Sequence, residues 1–219
     1  KKYYCIELLR FFSAIAIMIY HYGTSLNYFL RMPQVQGDEP FISQMKLIYD
    51  HGEYAISIFF SISGLVFSNL YLQENQNNTF RNFFVKRFAR LYPLHILTLF
   101  LIIALQLIFL NIFGSFQLYI FNDFYHFFLH IFYLYGWGFE EGRSFNSPIW
   151  TVSLEILIYF IFFLLITLIK KYKFFIVVLV YLILFFLDKS EIYQSYFIDF
   201  AKLFFSGIFI YLLADKYKN

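Results

Sequence analysis

Residues 94–113 run for a full membrane thickness without one Asp, Glu, Lys or Arg. At about 1.5 Å per residue, a helix of that length covers the roughly 30 Å of hydrocarbon in a bilayer. Residues 6–22, 55–72, 150–169 and 197–214 form comparable stretches, and residues 174–187 form a shorter one with charges on both sides. In lipid each segment must satisfy its own backbone polar groups, so each is read as a helix. With 61% hydrophobic and 14% charged residues, the chain carries more apolar surface than a water-soluble domain can hide. The expected fold is all-α: a polytopic transmembrane helical bundle with about six or seven spans, one integral membrane domain over residues 1–219.

A net charge of +3 gives no electrostatic support for nucleic-acid binding, and a single cysteine excludes an intrachain disulfide. The excess of Phe, Tyr, Ile, Lys and Asn suits an AT-rich bacterial genome and a cytoplasmic (inner) membrane. Loop charges set the orientation. Lys1 and Lys2, and then Arg81, Lys86, Arg87 and Arg90 against Glu74, mark the cytoplasmic side. Asp38, Glu39, Asp50 and Glu53 outnumber Arg31 and Lys46 in the connection between them. A third basic turn, Lys170, Lys171 and Lys173, falls on the same side only if residues 116–135 do not cross. Asp123, His126 and His130 follow helical spacing on one face. That segment is therefore expected to lie in the interface or to re-enter, lining a wet cavity.

Polar side chains inside the spans are the candidates for chemistry, because each costs about 2.5–3.5 kcal/mol on insertion scales and so faces a cavity or a partner. Arg10 and His21 are eleven residues apart, which returns to nearly the same helical face about 16 Å further along. They are too distant to touch but suited to gripping two parts of one long ligand. His21, with an ordinary pKa near 6.5, suits a general base. Glu7, one turn before Arg10, is a natural partner for it. Arg87 and Arg90, beside Phe84, Phe88 and Leu91, form a basic amphipathic stretch that can hold phosphates or rest on anionic lipid. Glu155 enters a span and should pair with an arginine or with His21. Gly64 permits a close helix approach, and Ser63 beside it can hydrogen-bond a ligand or a backbone. His126 and His130 could bind a metal with Asp123, but no further ligand pattern accompanies them, and no metal is expected.

Taken in order, Glu7-x-x-Arg10 with His21, Phe59-Phe60-x-x-Ser63-Gly64, Lys86-Arg87-x-x-Arg90-x-x-Pro93 and Trp150-x-x-x-x-Glu155 resemble the acyltransferase-3 family. These are integral membrane O-acyltransferases that decorate surface polysaccharides and other acceptors. The resemblance implies acetyl-CoA as donor, its phosphates held by Arg87 and Arg90 with help from Arg10. It also implies a hydroxyl acceptor on a cell-surface carbohydrate or similar molecule. His21 would act as general base or acyl carrier, with Glu155 orienting the site. Family members generally have about ten spans, so the chain reads as a C-terminally shortened member. The competing reading is a proton-coupled transporter that uses the same buried charges, against which stands the lack of an inverted repeat.

Overall fold

The computed structural model describes residues 4–30, 41–73, 79–117, 119–189 and 196–217. Eight α-helices occur among them: α1 (Tyr4–Leu30), α2 (Ile42–His51), α3 (Tyr54–Tyr71), α4 (Phe80–Phe113), α5 (Phe124–Ile131), α6 (Trp150–Tyr172), α7 (Phe174–Lys189) and α8 (Tyr196–Lys216). No strand is present among the described residues. Five helices, α1, α3, α4, α6 and α8, are long and apolar enough to cross a membrane. At 16 residues α7 is shorter, and counting it gives six spans. Lys1 and Lys2 lie outside the described residues.

The centre of the bundle is the α3–α8 pair. A Cβ on Gly64 would fall 1.9 Å from the Phe204 carbonyl oxygen, and one on Gly207 would fall 2.0 Å from that of Ser61. The two backbones are therefore in direct contact, which only glycine permits at both positions. Around this crossing, aromatic rings fill the space between α3, α4, α6 and α8. Phe67 stacks on Tyr159 at 4.0 Å and on edge against Phe83 at 5.2 Å, and Phe60 stacks on Phe200 at 4.3 Å. Lys202 of α8 bridges Asp188 of α7 and Asp199, both at 2.9 Å, and so ties those helices near one end.

The basic stretch and the apolar span that follows it are one element. α4 runs 34 residues from its Thr79 cap, straight through Pro93, to Gly114, whose φ of 70° ends it. This sets Arg87, Leu91 and His95 on one face, four residues apart.

Residues 116–135 do not cross as a helix, because α5 has only 8 residues, about 12 Å. Instead the chain folds back along α4. Gln117 donates its N–H to Gln106, Asn146 reaches Thr98 at 2.9 Å, and His130 meets His95. The returning segment then feeds α6 through a 3-10 turn at Ser147–Ile149.

Helix α1 is the least embedded of the five long spans. Ser13 is its only buried residue among those described, with Ile6, Arg10, Ile17 and Tyr20 half-buried on the same side. It is fastened near the start of α3, where Tyr20 donates to Glu53 at 2.8 Å. There Gly52 sits against Ala16 and Tyr20 too closely for a Cβ.

Candidate functional site

Three helices converge on one carboxylate. Glu155 of α6 accepts from Arg87 Nη2 of α4 at 2.8 Å and from Ser63 Oγ of α3 at 3.3 Å. Its own helix contributes Tyr159, one turn on, whose hydroxyl donates to the same Oε1. Arg87 Nη2 also donates to the Tyr159 oxygen at 3.0 Å, and the guanidinium lies 5.1 Å from the centre of that ring. The Arg87 and Glu155 side chains are 23% and 21% exposed, so the pair is accessible from one side. Ser63 is the tenth of eighteen residues in α3, which puts this ion pair near the middle of the span. The guanidinium and the two hydroxyls around it offset part of the cost of placing a carboxyl group at that depth.

Glu155 thus takes an arginine, as its burial required, and the arginine is Arg87. Arg90 does not join it. Arg87 is half-buried toward the bundle, whereas Arg90, about 60° round the helix from it, is exposed. The two arginines therefore do not form a single fork.

The Glu7–Arg10 pair expected within α1 does not form, and Arg10 Nε is buried without a hydrogen-bond partner. Glu7, one turn nearer the chain start, is exposed. Antiparallel packing of α1 on α3 fixes the depth of Arg10. It lies ten residues before Tyr20, and Ser63 lies ten residues after Glu53, so each is about 15 Å from the Tyr20–Glu53 hydrogen bond. Arg10 is accordingly level with the Arg87–Glu155 pair. His21 is half-buried at the other level, its ring 5.5 Å from Tyr20. Arg143, from the returning segment, acts electrostatically on both Tyr20 and His21. The structure therefore places Arg10 and Glu155 at one depth and His21 about 15 Å away.

The polar residues of the returning segment build a separate network. Asp123 caps α5, accepting from the His126 backbone N–H and from its Nδ1, both at 2.9 Å. These bonds hold the Asp123 carboxyl below its usual range. The Glu141 N–H donates to His126 Nε2, which leaves the imidazole proton on Nδ1. His130 Nε2 meets Ser144 Oγ at 3.0 Å, and burial pushes His130 down to about 3. Its other nitrogen, His95 Nδ1 and the Tyr133 hydroxyl are buried without partners. Among the described residues no three His, Cys, Asp or Glu side chains are placed to share a metal ion.

A family model described as an acyltransferase domain, acyltransferase-3, matches residues 3–218. The chain belongs to the acyltransferase-3 family. It is a membrane acyltransferase, a class that takes an acyl donor and a hydroxyl acceptor, and the match does not favour a transporter. No curated protein and no solved structure matches this acyltransferase. Two of its structural residues escaped the sequence reading. Tyr159 lies one helical turn from Glu155, a spacing that marks a possible partner, but it sits in a run that reads as wholly apolar. Arg143 carried no pattern, since its nearness to His21 depends on the fold-back of residues 114–149.

Proposed function

We propose that this acyltransferase moves an acetyl group from acetyl-CoA to a hydroxyl of a cell-surface carbohydrate or a similar acceptor. The observation that carries the reading is the family match over residues 3–218. In the reaction, His21 takes the proton of the acceptor hydroxyl and that oxygen attacks the thioester carbon. The C–S bond breaks, and CoA leaves as its thiol once protonated. The alternative at His21 is a relay, in which the imidazole first carries the acyl group itself. Arg87, Arg90 and Arg10 supply cations for the donor. Arg90 does so from an exposed position, and Arg10 from the inner face of α1. Glu155 fixes Arg87 and balances its charge. The separation of about 15 Å between the Arg10 level and His21 suits a donor that enters from the cytoplasmic side and an acceptor that waits outside. The N-terminus is read as cytoplasmic and the membrane as a bacterial inner membrane.

The test is thiol release from acetyl-CoA by purified protein, with binding of labelled acetyl-CoA measured in parallel. His21→Ala is expected to keep binding and lose turnover by about 10²-fold or more. Arg87→Ala is expected to lose binding. A wild-type protein that neither binds acetyl-CoA nor releases thiol overturns the reading.

A further inference from the structure

We propose that Tyr159 is a positioning residue for Arg87, its hydroxyl fixing the direction in which the guanidinium presents its remaining donors. The proposal rests on the acyl-CoA reading for its kinetic consequence but not for its geometry. Tyr159 is fully buried, whereas Arg87 and Glu155 are each about one-fifth exposed. Its ring is clamped by Phe67 at 4.0 Å, Phe83 at 5.5 Å and Phe204 at 5.8 Å. Of the groups around the ion pair, the phenol therefore has the least freedom. A hydroxyl has one hydrogen and two lone pairs, and both roles are used here. The hydrogen goes to Glu155 Oε1, and a lone pair accepts from Arg87 Nη2. Arg87 on a long flexible stem would otherwise touch Glu155 through a single nitrogen and swing about that contact. With two acceptors on Nη2 and the guanidinium carbon 5.1 Å from the ring centre, the guanidinium is held at more than one point.

Tyr159→Phe removes only the oxygen and keeps the clamped ring, so the bundle is expected to fold, melting somewhat lower for the lost bonds to Glu155 and Arg87. Two readings of that variant decide the matter. The first is the rate at which phenylglyoxal modifies Arg87, followed by peptide mass spectrometry with exposed Arg90 as the internal reference. Arg87 in Tyr159→Phe is expected to react several-fold faster than in the wild type while Arg90 is unchanged. Equal Arg87 rates overturn the proposal whether or not the protein turns over acetyl-CoA. The second is steady-state kinetics with acetyl-CoA, where KM is expected to rise about tenfold with kcat little altered. An unchanged KM in an active enzyme also overturns it. Absence of thiol release from the wild type, with faster Arg87 modification in Tyr159→Phe, would instead sink the acyl-CoA reading and leave the positioning role standing.

Discussion

Arg87→Ala leaves Glu155 beside two hydroxyls with no cation, and Glu155→Gln leaves Arg87 with no anion. Each is expected to cost about 2–4 kcal/mol of stability, because it leaves one member of the pair within the span without its partner. Replacing both by methionine is expected to recover much of the loss, and unfolding in detergent with increasing denaturant measures all three. Tyr133 makes the opposite case. Its hydroxyl is buried, without a partner, and pushed up to about 12. Tyr133→Phe is therefore expected to change stability by under about 0.5 kcal/mol or to raise it. A loss above about 1 kcal/mol would show that the hydroxyl is bonded in the membrane-embedded protein. At this scale the sequence announced that Glu155 needed a counter-charge, since an unpaired carboxylate in a span is too expensive. It could not say which one, because Arg87 is 68 residues away and Arg10 and His21 were equally entitled.

Adding one methyl group at the α3–α8 crossing tests how much the helices depend on contact. Gly64→Ala places a Cβ 1.9 Å from a backbone oxygen that cannot rotate away. The helices must part, and a drop of about 3 kcal/mol or more is expected in the same unfolding assay. Gly64 was legible as a point of close approach. Its partner Gly207 was not, since nothing in the pattern pairs position 64 with position 207. The returning segment was half legible: loop charges argued that it does not cross, while its run back along α4 depends on side-chain contacts such as His95 with His130. That burial has a pH signature. A histidine at about 3 in the folded state and near 6.5 when unfolded binds more protons unfolded throughout that window. Its stabilisation is whole above about pH 6.5 and is lost toward pH 3 at roughly 1 kcal/mol per unit. Melting temperature measured from pH 7 down to 4.5 is expected to fall less steeply in His130→Gln than in the wild type.

Across the whole molecule, the number of crossings decides which ends face which compartment. Two crossings, α4 and α6, put the Lys170–Lys173 turn on the side of α4's basic start, and put Glu141 and Arg143 opposite. Cysteines placed singly at Lys171 and Arg81, after the exposed Cys5 is changed to Ser, are expected to react from the same face with a membrane-impermeant thiol reagent. Labelling of the two from opposite faces would mean that residues 116–135 cross after all. The arrangement of spans was readable because apolar length is a strong signal, whereas α1's loose seating was not. Helix α1 hangs from α3 by the Tyr20–Glu53 bond and the Gly52 contact, close to His21 and far from Arg10. Ser13 and Arg10 Nε are buried against the bundle beyond those ties, yet no described residue of α1 enters the central aromatic cluster. The helix lies along the other spans like a lath on staves, so lifting it would uncover Arg10 and leave the α3–α8 crossing untouched.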